Sequence, residues 1–94
     1  MKTIKKVTII PVYVQYCPEV VNMVQNEIYI SKEYETSIHL CLCGCKKEVV
    51  VPINETGWKL IEKNNKVSFK PSIGLDQYEC KSHYVITDNI ANFI

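Results

Sequence analysis

The sequence predicts an all-β domain, and three observations predict it. Apolar and polar residues alternate with a period near two along most of the chain, as strands require when successive side chains turn to opposite faces. The apolar segments are rich in Val, Ile and Tyr, which suit a pleated, half-buried surface. Those segments are short, and Asn, Asp, Gly and Pro interrupt them at close intervals. The chain of 94 residues reads as one domain spanning 1–94, with a core modest enough that a metal ion is a useful source of extra stability.

Val7 to Tyr16 is β-branched and aromatic and reads as the first strand, with Pro11 placing it at an edge or a bulge because proline cannot donate to a ladder. Cys17-Pro18-Glu19 stops it, and Val20 to Asn26 has room for only a helical turn. Glu27 to Ser31 is the second strand, Thr36 to Cys43 the third, and Glu48 to Ile53 the fourth, where Pro52 again indicates an edge. Trp58 to Ile61 and Val67 to Lys70 form a hairpin around Asn64-Asn65, residues that tolerate the positive φ of a tight turn. His83 to Thr87 and Ile90 to Phe93 form a last hairpin around Asp88-Asn89. Lys70 to Gly74 reads as a structural bend rather than a substrate loop, with Ser72 bonding inside it.

Chemistry concentrates in two clusters, I-H-L-C-L-C-G-C over 38–45 and C-K-S-H over 80–83. Four of the five cysteines and both histidines lie there. On a continuing strand His39, Cys41 and Cys43 share one face, and Gly44 permits a turn that swings Cys45 back towards the same point. C-x-x-H lets one turn offer a thiolate and an imidazole to a tetrahedral ion. Thiolate and imidazole donors suit zinc, so Cys41, Cys43, Cys45, Cys80 and His83 are the candidate ligands of one zinc ion per chain. Five candidates compete for four places, and the set Cys43, Cys45, Cys80 and His83 is favoured slightly over sets containing Cys41. His39 reads as a packing or supporting residue, Cys17 as a lone thiol, and Ser82 as a cap on the second turn. With the two metal-bearing turns joined by hairpins, the arrangement is zinc-ribbon-like.

Charge and motif content exclude several functions. All 11 basic residues are lysine and the net charge is +1. Without the bidentate grip of arginine, a nucleic-acid-binding ribbon is disfavoured. Neither a signal peptide nor an apolar run of membrane-spanning length is recognisable, so a cytoplasmic location is expected, where a cysteine cluster favours metal over disulfides. No H-E-x-x-H, G-x-S-x-G or Ser/His/Asp arrangement stands out, so no catalytic residue is assigned. Glu48, Glu79 and Asp88 are present as carboxylates, but in no spacing that marks a general base.

N-E-I-Y-I-S-K-E-Y and H-L-C-L-C-G-C, then G-W-K-L, P-S-I-G and C-K-S-H-Y-V-I, occur in that order over 26–86. This succession resembles a family of small bacterial and phage Cys/His-rich domains of unknown function. Lys46 departs from its pattern, which has a second glycine there. The resemblance implies a metal-binding β domain with Cys41, Cys43, Cys45, Cys80 and His83 at the matching positions. Genes of that family often neighbour those of ubiquitin-like proteins, their activating and conjugating enzymes, and deubiquitinase-like peptidases. The expectation is therefore a zinc-stabilised, protein-binding accessory module of a bacterial ubiquitin-like conjugation or deconjugation pathway, its partner the ubiquitin-like protein or an associated activating or peptidase enzyme. A small zinc hydrolase of the peptidase or isopeptidase type is the alternative.

Overall fold

A computed structural model describes residues 5–75 and 78–94 of the chain. Its regular structure is β1 (Lys6–Thr8), β2 (Ile10–Tyr13), a 3-10 turn (Val20–Asn22), β3 (Glu27–Ser31), β4 (Thr36–Leu40), β5 (Glu48–Pro52), β6 (Lys59–Lys63), β7 (Lys66–Gly74), β8 (His83–Thr87) and β9 (Ile90–Phe93). The all-β expectation holds. A five-stranded sheet runs in the order β1-β9-β8-β7-β6, and a four-stranded sheet in the order β2-β3-β4-β5.

The first predicted strand is two. β1 pairs antiparallel with β9, whereas β2 pairs parallel with β3 in the other sheet. The switch falls at Ile9, whose N–H donates to Asn89 while the next residue's N–H donates to Asn26. A parallel pair needs a crossover, and the segment from Val14 to Met23 supplies it. Met23, Tyr29, Ile38 and Leu40 form a small core with Val12, Val14 and Cys17 on the outer side of the four-stranded sheet. This second cover explains why β3 and β4 are buried on both faces. Pro11 and Pro52 both lie on edge strands, β2 and β5, as their missing donors require.

The main core lies between the sheets. Ile28, Ile30, Val49 and Val51 from one meet Val67, Phe69, Ile73, Tyr84 and Ile86 from the other. Both predicted tight turns are present: Asn64 and Asn65 have φ of 53° and 63°, Asp88 and Asn89 of 49° and 67°, the doubly positive pattern that matches strand twist.

The bend expected at Lys70 to Gly74 is instead the second half of β7. Phe69 faces Ile86 and Ile73 faces Tyr84, so Lys70, Pro71 and Ser72 stand against the single residue Val85. Pro71 has no N–H to give, and the strand answers by bulging rather than stopping. A bulge re-aims side chains, and the one it re-aims here is Ser72.

Candidate functional site

Two constellations lie at the same end of the molecule, one of sulfur and one of oxygen and nitrogen. β4 stops at Leu40, sooner than the sequence suggested, and the chain turns through 42–45. Gly44 takes φ of 96°, and Lys46, where the family pattern carries glycine, takes 65°. This positive φ is the physical reason a glycine suits that position. The turn brings Cys41, Cys43 and Cys45 to Cys80, with the four sulfurs all within 4.8 Å of one another.

The arrangement fits a metal. Four thiolates at 2.3 Å from a tetrahedral zinc lie about 3.8 Å apart. Here Cys41 Sγ is 3.4 Å from Cys43 Sγ and 3.8 Å from Cys80 Sγ. The backbone N–H two residues on acts downward on each thiol's pKa: that of Cys43 on Cys41, Cys45 on Cys43, Lys47 on Cys45 and Ser82 on Cys80. Donors so placed stabilise negative sulfur. Ser82 is nearly buried, and its hydroxyl acts in the same direction on Cys43 and Cys80. Burial pushes the Cys41 thiol up to about 12. Burial acts upward on Cys43 too, but the Ser82 hydroxyl, the Cys41 thiol and the Cys45 N–H together draw it down to about 6. The Ser82 hydroxyl, followed by the Ser82 N–H, lowers Cys80.

His83 stands outside this cluster. Its Nε2 lies 2.6 Å from Ser72 Oγ. The strand geometry explains the contact. Gly74 faces His83 across the β7–β8 ladder, so Ser72, two residues earlier on the same face, is the diagonal neighbour of His83. With no side chain at 74, the imidazole crosses over Gly74 to reach the hydroxyl; a Cβ there would lie 3.8 Å from Nε2. Ile73 and Tyr84 point the other way into the core, leaving Ser72 and His83 on the solvent face of the five-stranded sheet. The Trp58 indole N–H donates to the Ser72 carbonyl at 3.3 Å, and the Trp58 backbone N–H donates to Pro52 at 2.9 Å. Ser72 is thereby tied to both sheets.

His39, the other histidine, is fully buried with Nε2 2.8 Å from the Tyr84 hydroxyl. Burial lowers its pKa to about 4, so it is neutral. It joins the sheets and lies outside the sulfur cluster. Sequence reasoning placed Ser72 in a structural bend rather than a substrate loop and gave Trp58 no role beyond its strand. The available signal was S-x-G in a β segment with a histidine expected on a neighbouring strand, which is the spacing that lets an imidazole cross a glycine to a hydroxyl.

Comparison with known families bears on this geometry. The family model described as "BubE: Bacterial ubiquitination-like system serine protease" matches residues 13–94, nearly the whole chain. The resemblance read from the motifs, with its link to ubiquitin-like systems, agrees with that match. No curated protein and no solved structure gives a significant match. Among the described residues, no helix is long and apolar enough to cross a membrane.

Proposed function

The chain belongs to the BubE family of bacterial ubiquitination-like system serine proteases, and from that premise we propose that it is a serine protease with Ser72 as nucleophile and His83 as general base. The observation that carries this reading is the 2.6 Å approach of Ser72 Oγ to His83 Nε2 on an exposed sheet face. Nucleophile and base within hydrogen-bond reach are the first requirement of covalent catalysis by serine.

In the tautomer with its proton on Nδ1, His83 accepts the Ser72 hydroxyl proton at Nε2 as Oγ attacks the substrate carbonyl. The protonated imidazole then gives that proton to the departing amine, and the acyl group stays on Ser72. Water, deprotonated by the same nitrogen, releases the carboxylic acid and restores the serine. The Trp58 indole and the β7 bulge fix the backbone of the nucleophile.

Cys41, Cys43, Cys45 and Cys80 would hold one zinc ion as a structural centre. A closed four-thiolate shell leaves no position for water, so the ion supplies folding stability and no chemistry at the peptide bond. It acts on catalysis through position: Cys80 is three residues before His83, and its anchor fixes the start of β8. The pathway remains the ubiquitin-like one expected from the motifs, but the role within it is catalytic rather than accessory, and the zinc is not the hydrolytic centre. The substrate would be the system's ubiquitin-like protein or its conjugates.

A fluorophosphonate, which phosphonylates activated serines with loss of fluoride, tests the assignment. Labelling should occur at Ser72 by peptide mass mapping and vanish in Ser72→Ala and His83→Ala. A folded wild-type protein left unlabelled under conditions that label a control serine protease overturns the reading.

A further inference from the structure

β7 is nine residues long, but β6 accompanies only its first half, ending where Lys59 faces Lys70. The edge of β7 from Ser72 to Gly74 is therefore left without a neighbouring strand among the described residues. Two hydrogen bonds fix which groups it presents. The His83 carbonyl accepts from Ile94 on the far side of β8, and the Leu75 N–H donates to Ser82 across the β7–β8 ladder. Gly74 and His83 thus form a non-hydrogen-bonded pair, and the Gly74 N–H and C=O point away from β8 to the open edge. Neither has a backbone partner among the described residues.

We propose that the substrate binds as an extended peptide strand along this edge, exchanging main-chain hydrogen bonds with the N–H and C=O of Gly74, so that its scissile carbonyl comes to rest beside Ser72. The proposal rests on the serine-protease reading and adds to it the substrate class: a flexible, unstructured segment such as a tail or linker, and not a peptide bond locked in a folded domain. β-strand addition supplies affinity through the backbone and leaves side chains to choose among sequences.

The surroundings fit that occupant. A cleft of about 480 Å³ is lined by Trp58, Lys59 and Lys70, where β6 leaves β7 and just before the free edge begins. The edge is bounded at both ends. At one, the Ser72 carbonyl is already taken by the Trp58 indole. At the other, the Leu75 carbonyl accepts from the Tyr78 N–H, and the Tyr78 hydroxyl reaches across to the Glu48 carbonyl at 2.6 Å. Ser72 to Leu75 spans about 10 Å of strand. That window is too short to pair stably with a second copy of this chain, but it is long enough to hold a few substrate residues next to the nucleophile.

The test uses the full-length chain. A degenerate fluorogenic pentapeptide library identifies a cleaved sequence, which is then resynthesised with each backbone nitrogen methylated in turn. Methylation of one amide near the scissile bond, the donor to Gly74, should lower kcat/KM at least tenfold. In Ser72→Ala protein labelled with 15N-glycine, saturation with that pentapeptide should slow hydrogen exchange of the Gly74 amide at least tenfold and leave Gly44 and Gly57 unchanged. A flat methylation scan with an unaltered Gly74 amide overturns the proposal while leaving the protease reading intact. Fluorophosphonate labelling of Ser72 without cleavage of any library peptide overturns it in the same way. A Gly74 amide protected without peptide, in proportion to protein concentration, gives the edge to a second copy and also overturns it. A wild-type Ser72 that fluorophosphonate cannot label removes the protease reading and this inference with it.

Discussion

Cys80 and His83 are three residues apart and look like a pair of ligands, yet Cys80 lies among the sulfurs and His83 against Ser72, and on the proposed roles their alanine variants should behave differently. Cys80→Ala removes one of four sulfurs that lie within 4.8 Å of one another. Apparent binding free energies of structural zinc are on the order of 10–16 kcal/mol. An ordinary domain has about 5–15 kcal/mol of net stability, so weakening the site removes most of the fold. His83→Ala removes an exposed hydrogen bond of 2.6 Å and the ring's contact with Gly74. Such a bond contributes about 0.5–1.5 kcal/mol net, and 1 kcal/mol moves Tm by about 4–8 °C in a domain of this size. Losing the general base, in contrast, lowers turnover by about 10²–10⁴-fold.

The assay measures three quantities on each purified variant: zinc by elemental analysis, Tm by circular dichroism, and the fluorophosphonate labelling rate. His83→Ala should retain about one zinc per chain and a cooperative melt while labelling collapses. Cys80→Ala should lose metal, melt and labelling together. If His83→Ala loses its zinc and unfolds as Cys80→Ala does, then His83 is a ligand and the division of labour is wrong.

Three further outcomes follow from the same geometry. Chelation with EDTA should abolish labelling only in step with loss of the folded signal; activity that disappears while circular dichroism stays native would place the metal in the chemistry. Gly74→Val puts a branched side chain where the imidazole crosses and should reduce kcat/KM by about 10²-fold, as misplacement by about 1 Å does, whereas Gly74→Ala should change it only a few-fold; equal activity in all three proteins would refute the crossing. Tyr84→Phe should destabilise by about 1–3 kcal/mol, the cost of a buried polar group left unpaired, because the Nδ1 of His39 already has no partner among the described residues and Nε2 would lose its own; an unchanged denaturant midpoint would contradict this.

Most strands were readable because their causes are local. β3 shows its full extent in Glu27–Ser31, and the Asn64-Asn65 and Asp88-Asn89 turns announce themselves through residues that accept positive φ. The division of the first strand at Ile9 was not readable. It depends on which carbonyl each successive N–H finds, Asn89 or Asn26, and both partners are distant in sequence. The passage of β7 through Pro71 was hidden for a related reason. Proline removes a donor whether a strand ends or bulges, and only the pairing of Ile73 with Tyr84 shows that this one bulges.

The candidate site was half legible, and the reason lies in spacing. In C-x-S-H a turn with Lys81 at φ of 46° leaves Cys80 in the sulfur cluster, and β8 begins only at His83, which opens to the outer face. A ligand pair and a ligand-plus-base pair therefore have the same spelling; what separates them is whether a strand begins between the two residues. The decisive mark lies in P-S-I-G, 9 residues and more upstream of His83. A serine two positions before a glycine on one strand face leaves an empty place beside the hydroxyl, and a histidine opposite that glycine is the side chain able to fill it with a basic nitrogen. Metal and dyad are then coupled in one direction. With the sulfur cluster at the start of β8, loss of metal should disable Ser72, whereas Ser72→Ala and His83→Ala should keep the metal.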